Sequence, residues 1–272
     1  MRRSILYVCL SVFISYSSHC QDAEWSLIST IPVEELDQIS MDNRENIFYS
    51  DKTGNVFKID NRGVISNSYS PVLQARLTQL DAFSTLTLFL FSADLQQAVL
   101  LDTYLSPLSQ HSFQQEDIGL IGAAALGNNN VFWLFDEVDL SLKLYDYRRN
   151  TVLQKQPLSL ILGHDEIDVL EIQERQNMIF LNIKDLGILI LDNQANLVKM
   201  LKVPSEQSLS LHKDHLYYIR EGQVHRLNIF SEVETVIPTP EITAHNIIVS
   251  SNKIIFYSSN SLVVYDFPEF LL

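Results

Sequence analysis

The sequence predicts an all-β protein, a six-bladed β-propeller of four-stranded antiparallel blades whose ring is closed by the N-terminal strand. Three observations lead to this prediction: a repeated strand-and-turn unit, an aromatic-rich strand upstream of each repeat, and a strand-like segment near the start of the chain that belongs to no repeat. Repeats of about 40–45 residues are typical of four-stranded propeller blades.

The repeated unit ends in an apolar residue followed by Asp or Asn, just before a turn. Successive copies are roughly 36–46 residues apart, close to one blade each. The side chain of Asp or Asn can accept hydrogen bonds from the backbone of the turn that follows. We therefore interpret these residues as structural turn anchors, not as catalytic groups, and they are Asp60, Asp102, Asp146, Asp192, Asn228 and Asp266.

The first repeat shows the pattern of strands most clearly. It contains short strands predicted over Asn46–Ser50, Val56–Ile59 and Val64–Tyr69, separated by turns rich in Asp, Asn and Gly. Aromatic and β-branched residues fill the strands, as suits a pleated, half-buried surface. In blade three the segment Asp117–Leu126 is small and apolar, which predicts an innermost strand there.

The two ends of the chain predict how the ring closes. After Asp266 only Phe267–Leu272 remain, which is short for an outer strand, whereas Trp25–Pro32 precedes the first repeat without a unit of its own. We expect Trp25–Pro32 to supply the outer strand of the last blade. Such pairing leaves only short, protected sheet edges.

Residues 1–20 are predicted to be a cleaved signal peptide, and residues 21–272 a single propeller domain. The segment has Arg2 and Arg3 at its start and the mainly apolar Ile5–Tyr16 behind them, too short to span a bilayer as a helix. Its two cysteines are Cys9 and Cys20. Cys20 is either removed with the leader or lipidated, and neither alternative leaves a disulfide in the mature domain.

Charge excludes one class of partner. The chain has 33 acidic residues against 19 basic ones, a net charge of −14, and loss of Arg2 and Arg3 with the leader makes the balance more negative. Such a surface repels nucleic acid and anionic lipid headgroups. The charge either keeps an exported protein soluble or forms an acidic docking face for a basic partner.

No motif in the sequence predicts catalysis, a metal or a cofactor. Gly163–Glu166 places His164 beside two acids, but the chain has no GxSxG, HExxH or paired-cysteine spacing. We interpret this segment as a polar loop. Four other histidines lack metal-like spacing, and we expect surface or turn positions for them: His212, His215, His225 and His245.

The run NIFYSDKTGNVFKID at positions 46–60 resembles the repeats of NHL-type and related TolB-like six-bladed propellers. The leader, the lack of other cysteines and this run also resemble small exported propellers of Bacteroidota. That resemblance implies a subunit of an outer-membrane machine, such as the plug of a type 9 secretion translocon. Six-bladed lactonases are related too, but their Glu, Asn and Asp metal ligands do not map onto this chain.

The sequence favours a non-catalytic interaction scaffold, located in the periplasm or at the outer membrane. Its predicted partner is another envelope protein or a membrane-protein complex, and the mature chain is predicted to contain no transmembrane segment. Two alternatives stay open: a metal-dependent hydrolase with its ion in the central channel, and a binder of carbohydrate or another small ligand at the channel mouth.

Overall fold

The computed structural model describes residues 25–83, 86–237, 239–240 and 244–268. These residues form six four-stranded antiparallel sheets, which confirms the predicted six-bladed propeller. The predicted signal peptide, with Cys9 and Cys20, lies outside the described residues.

Within a blade the chain runs outward from an innermost to an outermost strand, each paired with the next. Strands are numbered along the chain, and β1 (Leu27–Pro32) precedes the first blade. Blades one to three comprise β2 (Leu36–Met41), β3 (Ile47–Asp51), β4 (Val56–Ile59) and β5 (Ile65–Tyr69); β6 (Gln79–Asp81), β7 (Thr87–Ser92), β8 (Gln97–Asp102) and β9 (Pro107–Ser112); and β10 (Ile121–Gly127), β11 (Val131–Asp136), β12 (Ser141–Asp146) and β13 (Thr151–Pro157).

The second half of the ring repeats this arrangement. Blades four to six comprise β14 (Val169–Arg175), β15 (Met178–Ile183), β16 (Gly187–Asp192) and β17 (Leu197–Leu201); β18 (Ser210–His212), β19 (His215–Arg220), β20 (Gln223–Asn228) and β21 (Glu234–Ile237); and β22 (Asn246–Val249), β23 (Lys253–Ser258) and β24 (Ser261–Asp266).

Ring closure follows the sequence prediction, because β1 pairs with β24 as the outermost strand of blade six. The register runs from Leu27 opposite Tyr265 to Pro32 opposite Ser261. Trp25, ahead of the strand, makes edge-to-face contact with Tyr265 at a ring-centroid distance of 5.5 Å. Blade six is thus built from both ends of the described chain.

The core is divided among the six junctions between neighbouring blades, each of which holds one cluster of buried apolar side chains. At the closing junction, Ile31 of β1 packs with Ile47 of blade one and Leu262 of blade six. Burial of apolar surface stabilises by about 25 cal/mol per Å². The closing junction is therefore stabilised by packing in the same manner as the other five.

Strand alternation gives the ring two faces with different connections. Turns from the first to the second strand of a blade, and from the third to the fourth, lie on one face, which we call the mouth face. Turns from the second to the third strand, and the links between blades, lie on the opposite face, which we call the link face.

A short helix, α1 (Leu158–Leu162), interrupts the all-β pattern in the link from blade three to blade four. This helix was not expected from the sequence. The helix starts after Pro157 and ends at Gly163, which has a φ of 69° and donates its N–H to the Ser159 carbonyl. Proline before a helix and a left-handed glycine after it are common boundary signals. The prediction of an innermost strand in Asp117–Leu126 is confirmed, although β10 begins only at Ile121.

Candidate functional site: the central channel

A cavity of about 370 Å³ occupies the centre of the ring. Residues of β2, β6, β14, β18 and β22 line it, together with turns on the mouth face such as those at Asn43, Gln176 and Ser251. The cavity therefore opens on the mouth face. Its deep end lies toward the link face. It is formed by Gln38, Gln79 and Glu171, each of which is the first residue of its strand to line the cavity.

Blade three does not contribute to the cavity wall. Its innermost strand β10 carries the small, buried residues Ala123 and Ala125, which pack into the junction with blade four. On the channel side of β10, the Gln79 side chain on β6 donates to the Ile172 carbonyl on β14 at 3.0 Å. Small side chains allow close backbone approach. Blades two and four consequently meet across the channel, and the wall has five sides instead of six.

A second bridge between blades two and four lies nearer the mouth. Arg175 on β14 donates two hydrogen bonds to Asp81 on β6, at 3.0 and 3.1 Å. The Arg175 guanidinium also lies over the Phe83 ring, 4.0 Å from its centroid. A bidentate Arg–carboxylate pair fixes geometry as well as charge. The Arg175 guanidinium is therefore held in an ion pair with Asp81.

Glu171 is a carboxylate at the deep end of the channel. Its Oε2 accepts the Leu209 N–H at 2.7 Å, and its Oε1 accepts the Gln173 amide at 2.6 Å. Burial raises the pKa of Glu171 to about 7; these hydrogen bonds oppose the rise, and the negative charge of Asp81 adds to it. The partial exposure of Glu171 is to the channel, because the residue lines that cavity.

Two further polar atoms, which belong to residues that line the cavity but are themselves buried, lack hydrogen-bond partners among the described residues. They are the Oε1 of Gln79 and the Oγ of Ser210, in side chains that are 3% and 2% exposed. Buried polar atoms normally have a partner in protein or water. Tyr257 lies nearby, and burial raises the pKa of its hydroxyl to about 12, with the Ser208 hydrogen bond opposing the rise.

The predicted turn anchors lie away from the channel, at the ends of third strands on the mouth face. The first five accept backbone N–H bonds from the turns that follow them; for example, Asp102 Oδ1 accepts from Tyr104 and Ser106, both at 2.8 Å. Equivalent bonds are made by Asp60, Asp146, Asp192 and Asn228. Asp266 differs, because its Oδ2 accepts from Ser26 Oγ beside β1.

Two histidines lie elsewhere than the sequence predicted: His212 ends β18 and lines the channel, and His225 is buried. His225 was expected at the surface or in a turn, but it lies within β20 and is 5% exposed. Its Nδ1 is 2.7 Å from Glu234 Oε1, and its ring stacks on Tyr218. A partner on the next strand explains its burial, since a buried polar group must be hydrogen-bonded. Gly163 and the acids that follow it form a loop behind α1, as predicted.

Two structural features are absent from the described residues. No group of three or more His, Cys, Asp or Glu side chains there is arranged to hold a metal ion. In the same ranges, no helix has both the length and the apolar character needed to cross a bilayer.

No family model matches the chain, and no curated protein matches it. Its structure is similar to BamB from Moraxella catarrhalis, with a TM-score of 0.54 and 9% identity, covering 90% of this chain and 100% of that one. It is also similar to the Pan2 WD40 domain of Neurospora crassa (TM-score 0.61, 10% identity, 89% and 95% covered). A third similar structure is streptogramin B lyase (0.57, 16%, 90% and 86%). At these identities the likeness establishes the β-propeller fold alone.

Proposed function

We propose that this chain is an exported, non-catalytic interaction module that docks on another protein through the link face of blade three. The observation that carries the proposal is an exposed apolar patch in acidic surroundings. The patch consists of Leu120, Val138 and Leu160, which are 50%, 73% and 80% exposed, and we call it the link-face patch.

Backbone contacts hold the three loops of the patch together. The Glu137 N–H donates to the Leu120 carbonyl at 2.8 Å, which places Leu120 beside the turn that carries Val138. The Leu158 N–H donates to the Leu140 carbonyl at 2.9 Å, which ties helix α1 to the same turn. Exposed apolar residues rimmed by polar ones commonly mark interaction sites.

Charge indicates the kind of partner. The loops that carry the patch, residues 113–120, 137–140 and 158–168, contain no lysine or arginine. They do contain the acids Glu116, Asp117, Glu137, Asp139, Asp165, Glu166 and Asp168. Lysines from outside these loops pair with two of the seven, Asp139 and Asp168. Complementary charge steers association and selects partners. The expected partner surface is therefore basic around an apolar centre.

The proposal also includes the cellular compartment in which the protein acts. The resemblance to small exported propellers of Bacteroidota, together with the leader over residues 1–20, supports a site of action in the periplasm or at the outer membrane. The partner is then an envelope protein or a membrane-protein complex, of which a type 9 secretion translocon is one form. Cys20 is either lipidated or removed with the leader.

The docking experiment compares two matched variants in the intact secreted protein. Leu160→Ser should abolish recovery of the partner from solubilised envelope, whereas Tyr104→Ser should leave it unchanged. Tyr104 is 70% exposed but lies in a turn of the mouth face, so it controls for loss of exposed apolar surface in general. Recovery is measured by quantitative mass spectrometry against an untagged strain.

Two results would contradict this proposal. One is partner recovery by Leu160→Ser equal to that of the unaltered protein. The other is binding that does not weaken with salt, since exposed charge pairs are screened beyond a Debye length of about 8 Å at physiological ionic strength. The intact mass of the mature protein separately tests the leader, because acylated Cys20 and a free Gln21 terminus differ in mass.

A further inference from the structure

The deep end of the channel holds more hydrogen-bond acceptors than the described residues satisfy. The Gln79 amide nitrogen donates to the Ile172 carbonyl at 3.0 Å. A flip of the amide would place two oxygen acceptors against each other, so the orientation of this side chain is fixed. Its Oε1 therefore remains an unpaired acceptor beside the cavity, as does the hydroxyl oxygen of Ser210.

Glu171 adds to these acceptors a carboxyl group that is not directly bonded to a cation among the described residues. In the described part of the chain, its hydrogen-bond donors are the neutral Leu209 N–H and Gln173 amide. The positive charge of Arg175 acts to lower the pKa of Glu171, but Arg175 forms its ion pair with Asp81. A buried carboxylate without a cation is costly, and such groups are usually paired.

We propose that the channel binds a small organic cation bearing a primary ammonium group, with Glu171, Gln79 Oε1 and Ser210 Oγ as its recognition groups. An ammonium presents three N–H donors and one positive charge. It would place a positive charge against Glu171, and it would supply donors to both orphaned oxygens once the side chains that cover them move aside. A metal ion fits less well, because Glu171 is the sole carboxylate among these three groups.

The cavity sets the size of the ligand. Its volume of about 370 Å³ falls within the range of roughly 300–1,000 Å³ for small-molecule pockets. Apolar side chains such as Ile39, Leu209 and Ile248 share the lining with the polar groups. The ligand is therefore expected to carry an apolar or polyol body of modest size behind its ammonium group.

Binding should depend on pH through Glu171. The raised pKa of its carboxyl group means that part of the population is protonated near pH 7, and only the carboxylate pairs with an ammonium. The other ionisable groups that line the channel are Asp42, Glu45, Asp81, Arg175, His212, Lys213 and Tyr257. Protonation of His212 would also oppose a cation, so the contribution of Glu171 must be isolated by substitution.

The test uses the mature protein and a panel of putrescine, tyramine and glucosamine, each compared with its fully N-acetylated counterpart, which has no primary ammonium group. Titration calorimetry and saturation-transfer NMR are carried out on the unaltered protein, Glu171→Gln and Ser210→Ala, with Glu137→Gln on the link face as the matched control. Circular dichroism and thermal melting verify that each variant is folded.

The expected result is binding of at least one amine, weakened roughly tenfold or more by Glu171→Gln and less by Ser210→Ala. Affinity should fall as the pH drops below about 7, and this fall should be smaller in Glu171→Gln, where only other groups such as His212 still gain charge. No binding by any amine, equal binding by the acetylated compounds, or unchanged affinity in Glu171→Gln would each overturn the proposal.

Discussion

Lys143 shows how a charge is held inside the blade-three sheet. It is 4% exposed, and its ammonium group donates to Asp136 and to the Asp117 carbonyl, the latter at 2.9 Å. Asp139 lies 3.1 Å away as a second carboxylate. A buried pair adds little net stability, but removal of one partner leaves the other charge unpaired.

Substitution of Lys143 by Met should therefore lower the free energy of unfolding by about 3–5 kcal/mol. Urea denaturation measures this loss. Lys155→Met is the matched control: Lys155 also pairs with Asp139, at 2.7 Å, but its side chain is 49% exposed. Exposed pairs contribute about 0–1 kcal/mol. Equal losses in the two variants would contradict the assignment of a buried charge.

Glu171 should make stability depend on pH. Its pKa is raised from 4.5 to about 7 in the folded state, so folding holds a proton that the unfolded chain releases between these values. Stability is then lost as the pH rises from 4.5 through 7, by up to about 3 kcal/mol. Urea denaturation at pH 5 and pH 8 should show a smaller difference for Glu171→Gln than for the unaltered protein.

The turn anchors form a recurring local device at the ends of the third strands. Asp102→Ala removes the acceptor of two turn N–H groups and should cost about 1 kcal/mol of unfolding free energy, whereas Asp102→Asn should retain most of it. Thermal melting of both variants measures the difference. Equal destabilisation by Ala and Asn would mean that charge, not hydrogen bonding, is the contribution of Asp102.

At the scale of the element, strand β1 closes the ring by pairing with β24. Its inward residue Ile31 is 3% exposed in the closing junction, while Ile28 on the same strand is 37% exposed. Outside the ladder, the Val33 N–H donates to the Asn260 carbonyl at 3.0 Å, and the Asp266 N–H donates to the Ser26 carbonyl at 2.9 Å. Closure therefore combines apolar burial with backbone pairing at both ends of one strand.

Ile31→Ala should destabilise the protein by about 2–5 kcal/mol, because it removes buried atoms and leaves a cavity. Ile28→Ala on the same strand should change stability by less than about 0.5 kcal/mol. Hydrogen exchange of the β24 amides provides a local measurement of the same effect. Unchanged protection of β24 in Ile31→Ala would show that β1 does not control closure.

The sequence predicted elements whose signals are local and repeated. Asp102 and its equivalents recur at nearly constant spacing, and Trp25–Pro32 was recognisable as a strand without a repeat. Helix α1 was missed because five residues give too few turns for a helical pattern, although Pro157 and Gly163 mark its ends. Local signals of this kind fix the blades but not the links.

The channel site could not be predicted in the same manner. Gln79 and Ile172 are 93 positions apart, and Glu171 and Leu209 are 38 apart, yet both pairs are hydrogen-bonded. In the sequence, a single polar residue in an innermost strand looks like the ordinary alternation of polar and apolar residues along a strand. His225 was misassigned for a related reason, since its partner Glu234 lies on the neighbouring strand. Only the closed ring brings these groups together.

At the scale of the whole molecule, the pairing of β1 with β24 joins the two ends of the described chain. A circular permutant that begins at Val33 and carries residues 26–32 after Asp266 through a short turn would make this pairing local. We expect the same fold and faster refolding, because folding rates rise as contacts become more local. Stopped-flow refolding measures the rate, and a slower permutant would contradict the prediction.

The missing sixth wall of the channel has a consequence for recognition. A tunnel with true sixfold repetition would offer an entering molecule several equivalent poses, none of them preferred. Here blades two and four touch in front of blade three, through Gln79 with Ile172 and Asp81 with Arg175. A molecule that enters the channel therefore meets an asymmetric wall. This asymmetry favours one orientation of the molecule about the propeller axis.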